Sequence, residues 1–164
     1  MDALSSRVRS DFNWARSLAM LNRFWNLLSG KPTELLSFDE IKRIKCVGVS
    51  VYRGINIVEL KQVIGSLNRH HEFDRAFRPF SSVSPVRWGS VNRAFYEGVG
   101  LPVVVLYKVG EVYFVVDGHH RVSVARKQGQ IFIDAEVREF NTSVKITPDV
   151  KVRDLELLCA NLKQ

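Results

Sequence analysis

The chain has 164 residues, of which 46% are apolar and 25% are charged, and its net charge is +7. This length fits one domain with an appendage, and the apolar residues suffice for a core, so a wholly disordered chain is excluded. A membrane span is excluded as well, because no apolar run approaches the ~20 residues that a bilayer requires. Residues 1–12 lack the apolar stretch of a secretory signal, so we predict a cytoplasmic protein without a membrane partner.

The positive charge is densest in residues 61–93, and the two cysteines lie far apart. In that segment, six basic side chains oppose Glu72 and Asp74: Lys61, Arg69, Arg75, Arg78, Arg87 and Arg93. An excess of this size either serves solubility or forms a face that meets phosphate groups. Cys46 and Cys159 are too few for a disulfide framework or a zinc cluster.

Residues 1–45 are predicted to form an N-terminal helical extension. Apolar residues recur at helical spacing over residues 6–29, and Gly30 is a suitable stop. Ser37 and Glu40 form a capping box that opens a short helix through Ile44. The aromatic stripe of the first helix is expected to pack against its own domain or against a partner chain. In the second case the partner is another protein or a second copy of this chain, which would form a homodimer through this helix.

The segment from Cys46 to Gly100 is predicted to begin with a β-hairpin. Residues 47–52 and 55–60 are strand-like, and Arg53-Gly54 is the expected turn between them. Residues 60–80 lose periodicity and carry short helical patches and many charges. A Ser/Pro loop at 81–85 precedes a helix over 87–97, which ends at Gly98 or Gly100.

The last third of the chain has the clearest pattern. Strands over 101–108 and 111–117 flank a tight turn at Val109-Gly110 and form a second hairpin. A helix over 118–129, closed by Gly129, leads into an alternating strand over 131–140. A terminal helix over 153–162 places Leu155 and Leu158 on one face. The predicted class is α+β, with a small mixed β-sheet and flanking helices.

The junction Asp117–Arg121 carries the strongest chemical signal, because a strand meets a helix there. The first N–H groups of a helix have no backbone partners and lie at the positive end of its dipole, so an anion is favoured. Gly118 gives the turn its freedom, and His119 and His120 supply donors. Arg121 is suited to a bidentate grip on phosphate oxygens. Ser123 adds a hydroxyl.

Other interpretations of the same residues stay open. Asp117 is either a candidate base or only a turn or N-cap residue. Arg121 either binds phosphate or pairs with a carboxylate such as Asp134 or Glu136. Neighbouring side chains on a helix diverge by about 100°, so His119 and His120 are poor co-ligands, and no metal site is predicted here.

A second polar block spans Ser66–Arg78. Phe73 and Phe77 are expected to pack inward, while Asp74 and Arg78 form either an exposed ion pair or part of a site. The block forms a pocket wall or a solvated face. If the block is a pocket wall, Glu72 and Asp74 are the candidate general bases or metal ligands. The side chains that would then bind phosphate are Arg69, His70, His71 and Arg75.

Two stretches of the chain resemble the ParB/sulfiredoxin-like superfamily. Leu101–Val137, with its DGHHR turn, resembles the core of that fold, and residues 58–77 resemble a second block of bacterial ParB-like domain proteins. The resemblance implies a ParB/sulfiredoxin-like domain over 46–140, followed by a C-terminal helix in 141–164. It also implies that Gly118, His120 and Arg121 hold a nucleotide's phosphates, with the 66–78 block beside them.

The same resemblance separates this chain from two activities of the superfamily. His119 stands where sulfiredoxins carry their catalytic Cys, so sulfiredoxin activity is not expected. Partition proteins carry a Gly-Glu-Arg-Arg-type block and a downstream helix-turn-helix. This chain has a different block and about 25 residues after its last strand, so centromere reading is not expected.

We therefore expect a domain that binds a phosphate or nucleotide at Gly118–Arg121, with nuclease, phosphatase or phosphotransfer activity as the associated chemistry. The expected ligand is a nucleotide with Mg²⁺ or another phosphate-bearing molecule. The candidate catalytic residues are Glu72, Asp74, Asp117 and His120. The candidate binding residues are Gly118, His119, His120, Arg121, Ser123, Arg69 and Arg75. The alternative is a non-catalytic, DNA-associated module that contacts the phosphate backbone.

Overall fold

The computed structural model describes residues 2–44 and 47–161, and in this part of the chain helices and strands build one mixed sheet with helices on both faces. The helices are α1 (Ala3–Ser29), α2 (Phe38–Arg43), α3 (Pro85–Tyr96), α4 (His119–Lys127) and α5 (Val152–Asn161). The strands are β1 (Leu36–Ser37), β2 (Val47–Glu59), β3 (Val63–Ser66), β4 (Val104–Val109), β5 (Val112–Asp117) and β6 (Phe132–Thr142).

The sheet has the strand order β1-β3-β5-β4-β6-β2. The pairs β1–β3, β3–β5 and β4–β6 are parallel, whereas β4–β5 and β2–β6 are antiparallel. The predicted α+β class, with a mixed sheet and flanking helices, is confirmed. Among the described helices, none is both long enough and apolar enough to cross a membrane.

The two faces of the sheet bury separate cores. Alternation along β3 and β5 sends Val63 and Val115 to one face, where helices α1, α3 and α4 pack around Trp88. Ile64 and Phe114 point to the other face, which α2, α5 and the 143–150 segment cover. The second core draws on residues from both ends of the chain: Leu36, Phe38, Ile41, Val144, Ile146, Val150 and Leu155. The division into 1–45, 46–140 and 141–164 stays a prediction.

The predicted hairpin over residues 47–60 is wrong. Val47–Glu59 is one continuous strand whose partner is β6, some eighty residues further along the chain. Gly54, with φ +74°, lies at a register shift between Tyr52 and Gly54 instead of in a turn. A bulge of this kind needs the same glycine conformation as a turn, so the local sequence does not separate the two.

Strand β3 is a feature that periodicity does not reveal. It is four residues long and buried on both faces, so its side chains do not alternate between apolar and polar. Its third residue, Gly65, must be a glycine, because a Cβ there would come within 2.1 Å of the Phe114 ring. The strand places the second sequence block directly beside β5.

Most other predicted elements are present. Gly30 ends α1 in a left-handed conformation, and the Ser37 hydroxyl caps α2 by accepting the N–H of Glu40. The hairpin β4–β5, helix α4 and strand β6 are confirmed. Helix α5 is present and buries Leu155. Cys46, Leu162 and the side chains of Leu158 and Cys159 lie outside the described residues.

Candidate functional site

The structure brings the two polar sequence blocks together at one edge of the sheet. Strands β3 and β5 are parallel, so the chain segments that follow Ser66 and Asp117 leave the sheet side by side. The Ser66 Oγ shares a 2.8 Å hydrogen bond with His119 Nε2, and it accepts the N–H of Arg69 at 2.9 Å. One buried hydroxyl therefore joins the start of α4 to the turn after β3.

His119 is a buried, uncharged member of this junction. Its side chain is only 5% exposed, and its ring stacks on Phe73 at a centroid distance of 6.2 Å. Burial, followed by the charge of Arg69, lowers the pKa of His119 to about 4. At neutral pH His119 is therefore a neutral group that orients the helix start.

His120 is half-buried at the same helix terminus. Its Nδ1 atom is buried and has no hydrogen-bond partner among the described residues. Burial lowers its pKa, and so do the positive charges of Arg69 and Arg87. These two guanidiniums therefore act on His120 from two separate elements, the turn after β3 and helix α3.

Arg87 is a site residue that the sequence interpretation did not assign. It lies in the first turn of α3, is exposed, and has no carboxylate partner in the described parts of the chain. Arg69, by contrast, pairs with Glu72 at 3.2 Å, an i,i+3 contact between partly exposed side chains. The signal for Arg87 was its place in the basic 61–93 segment, but only the packing of α3 beside α4 brings it to His120.

The N-terminus of α4 has no side-chain cap. Gly118 takes the N-cap position with φ +98°, and a Cβ there would lie 2.6 Å from Val104 Cγ1. Only glycine fits this conformation and this space without strain. The first N–H groups of α4 therefore lack a capping side-chain oxygen, and they lie beside His120, on which the charges of Arg69 and Arg87 act.

Asp117 and Arg121 bind each other instead of capping the helix. The Arg121 Nη2 donates to Asp117 Oδ2 at 2.6 Å, and its Nη1 donates to the carbonyls of Pro102 and Val103 at 2.6 and 2.8 Å. Arg121 therefore pairs with Asp117, and not with Asp134 or Glu136, the carboxylates considered from the sequence. The guanidinium holds the chain before β4 to the end of β5.

Asp74 lies in a buried loop contact, not in an exposed ion pair. Its Oδ2 accepts from Arg78 Nε at 2.7 Å, and its Oδ1 accepts the N–H groups of Ala76 and Arg78. Burial raises its pKa, although Arg78 opposes that shift. These bonds close the turn in which Phe77 has φ +58°, and Phe73 and Phe77 are buried as predicted.

Two further predicted binding residues lie elsewhere. Arg75 donates from Nε to the Glu34 carbonyl at 3.0 Å and from Nη2 to the Val150 carbonyl at 3.3 Å. The Ser123 hydroxyl is buried and accepts the Trp88 indole N–H at 2.8 Å. The group near the α4 terminus thus comprises Gly118, His119, His120, Arg69, Glu72 and Arg87, with the Asp117–Arg121 pair beside it.

Arg126, which sequence analysis did not single out, fixes the 60–75 segment to the last turn of α4. Its guanidinium donates to the carbonyls of Leu60, Val63 and Arg75. Burial lowers its pKa to about 10. Its position in the last turn of a helix agrees with the general preference for cations there, which does not reveal such long-range contacts.

In the described residues, no group of three or more His, Cys, Asp or Glu side chains is arranged to hold a metal ion. Comparisons of the chain with protein-family models, with curated proteins and with solved structures find no match. The described residues form an α+β fold with a six-stranded mixed sheet, and the candidate site is the N-terminus of α4.

Proposed function

We propose that the chain binds a phosphate-bearing ligand, a nucleotide foremost, at the N-terminus of α4. The observation that carries this proposal is the unpartnered, buried Nδ1 of His120 beside a helix terminus with no side-chain cap. Phosphate oxygens would accept the free backbone N–H groups and would offset the charges of Arg69 and Arg87. The positive end of the helix dipole and the two guanidinium charges both favour an anion over a neutral ligand at this position.

The proposal includes membership of the ParB/sulfiredoxin-like superfamily. It is supported by the DGHHR turn at the start of a helix that follows a hairpin, and by the 66–78 block beside that turn. In this proposal the backbone at Gly118, His120 and Arg69 act on the phosphates. Arg121 acts indirectly, by holding the chain before β4 in place.

Turnover of the bound phosphate is the second part of the proposal. His120 has a lowered pKa and is neutral at pH 7, so it is in the correct state to accept a proton. Asp117 is the more exposed carboxylate next to the turn, and Glu72 stands beside Arg69. A Mg²⁺ ion that arrives with the nucleotide would supply charge neutralisation and would be held mainly by phosphate oxygens, because Glu72 and Asp117 already pair with Arg69 and Arg121.

Calorimetric titration tests the binding step. We expect pyrophosphate and nucleoside triphosphates to bind, with and without Mg²⁺, and His120→Ala and Arg87→Ala each to weaken binding by about tenfold or more. Arg43→Ala, an exposed cation on α2, is the matched control. The absence of binding by every common nucleotide and by pyrophosphate would overturn the proposal. Sequence-independent DNA binding that weakens steeply with salt would favour the backbone-binding alternative.

A further inference from the structure

A second cationic cavity lies between the C-terminal half of α1, the 74–78 turn and the 148–151 segment. Its volume is about 820 Å³. The cavity is lined by six cations, Lys31, Lys61, Arg75, Arg78, Arg126 and Lys151, and by two carboxylates, those of Asp74 and Asp149. Arg126 belongs to the last turn of α4, so this cavity lies at the opposite end of that helix from His120.

Two guanidiniums in this cavity carry charge that no carboxylate hydrogen bond neutralises. Arg75 and Arg126 donate to backbone carbonyls, which satisfy donors but leave the net charge in place. The Arg75 Nη1 and the Arg126 Nε are buried without a hydrogen-bond partner in the described part of the chain. Burial removes water from the charged form of each guanidinium and lowers its pKa to about 10.

The carboxylates in the cavity leave much of this charge uncompensated. Asp74 is bound to Arg78 at 2.7 Å, so that pair is neutral. The charge of Asp149 acts on Arg75, and Lys61 pairs with Glu59 at 2.7 Å. Lys151 donates to the Gly30 carbonyl at 2.6 Å, which leaves its charge in place. Lys31 is exposed at the mouth, and its amine has no acceptor among the described residues.

The cavity also continues in both directions along α1. One neighbouring cavity, of about 690 Å³, shares Lys61, Arg78 and Arg126 with it. Another, of about 760 Å³, shares Lys31, Arg75 and Lys151 and adds His70 and His71. The space therefore suits a ligand larger than a single inorganic phosphate.

We propose that this cavity is a second anion site, separate from the α4 terminus, for a small molecule that carries several negatively charged oxygens. Polyphosphates and polycarboxylates share this chemistry. A purely structural role of the two arginines accounts for their bonds to carbonyls. It does not account for Lys31, which is exposed and has no acceptor among the described residues, since such a lysine contributes little to holding loops.

The experiment measures the binding of tripolyphosphate and of citrate to the full chain by calorimetry at low and moderate salt. The test variant is Lys31→Gln with Lys61→Gln, because both side chains are exposed and the pair that Lys61 forms with Glu59 lies at the surface, where ion pairs contribute little to stability. The control variant, Lys42→Gln with Arg43→Gln, removes the same charge from α2 on the other face of the sheet. Arg75 and Arg126 are left intact because they hold the fold together.

We expect the test variant to lose at least about tenfold in affinity at one tripolyphosphate site, the one that persists when His120→Ala is combined with Arg87→Ala. The control variant should match the wild type. Citrate binding of similar strength would assign the site to multivalent anions in general, whereas tripolyphosphate alone would assign it to phosphates. Equal affinities in both variants, or binding by neither anion, would overturn the proposal. Combining His120→Ala with Arg87→Ala probes the α4 terminus separately, so that the two proposals can fail independently.

Discussion

Ser66 and His119 stand 53 positions apart in the chain and share a buried hydrogen bond of 2.8 Å between Oγ and Nε2. The same hydroxyl accepts the N–H of Arg69, which brings that side chain towards the start of α4. The bond therefore ties the turn after β3 to the turn after β5. The candidate anion site depends on this connection, because neither turn alone gathers its cations.

Replacing Ser66 by Ala tests this connection. The change leaves His119 Nε2 buried without a partner, so we expect the free energy of unfolding to fall by about 1–3 kcal/mol. Urea denaturation at pH 7 measures the loss. Ser90→Ala, at an exposed position on α3, is the control and should change the value by less than about 0.5 kcal/mol. Equal losses in the two variants would contradict the assigned role.

The protonation of His119 predicts a pH dependence of stability. Its pKa falls from 6.5 to about 4 on folding, chiefly because of burial, so the unfolded chain takes up the proton first as the pH drops. This contribution is complete above pH 6.5 and is lost progressively as the pH falls towards 4. We expect His119→Gln to reduce the stability difference between pH 7.5 and 4.5 by about 2–3 kcal/mol. An unchanged difference in this variant would refute the shift.

Arg121 is predicted to stabilise the fold directly and to affect phosphate binding only through the fold. Arg121→Ala removes three charge-assisted hydrogen bonds, two to the carbonyls before β4 and one to Asp117 at the end of β5. We therefore expect the free energy of unfolding to fall by about 2–3 kcal/mol. Arg121→Lys should recover part of that loss. Thermal unfolding measured beside a pyrophosphate titration separates the roles. Abolished binding at full stability would instead make Arg121 a direct phosphate ligand.

Gly118 should not tolerate a side chain. An alanine there meets Val104 Cγ1 at 2.6 Å and must hold φ near +98°, so we expect a loss of at least about 1–3 kcal/mol. Gly98→Ala is an informative comparison, because φ is +68° there but nothing lies within 4 Å of the added Cβ. The difference between the two variants in chemical denaturation reports the steric part. Similar losses would show that backbone strain alone is responsible.

Asp11 is predicted to anchor α1 to the rest of the helical layer. Its carboxylate accepts from Asn92, Tyr96 and Lys127 at 2.6–3.0 Å. Burial raises the pKa of Asp11, but the hydrogen bonds outweigh it and lower the value. We expect Asp11→Ala to cost about 1–3 kcal/mol at pH 7 by urea denaturation. Asp134→Ala, an exposed position on β6, should be near neutral, and an equal loss there would argue against the anchor.

The site could be predicted only in part. The anion-favouring turn at Gly118–Arg121 follows from local physics, since a strand, a glycine and a helix start are all visible in consecutive residues. The partners of most charges do not follow. The i,i+4 spacing of Asp74 and Arg78 indicates their pair but not its burial. Arg121 binds Asp117 and two backbone carbonyls, and Arg87 acts on His120 only because α3 packs beside α4.

The sequence by itself determined the helices, the β4–β5 hairpin and the glycine at the start of α4, because caps, glycines and apolar periodicity act between residues close in the chain. Only the tertiary structure decided that Val47–Glu59 is one strand paired with β6, that β3 lies between β1 and β5, and that Arg126 binds the 60–75 segment. Those outcomes depend on partners far away in the chain. Burial and packing select these partners, and the local pattern of apolar and polar residues does not reveal which partner is chosen.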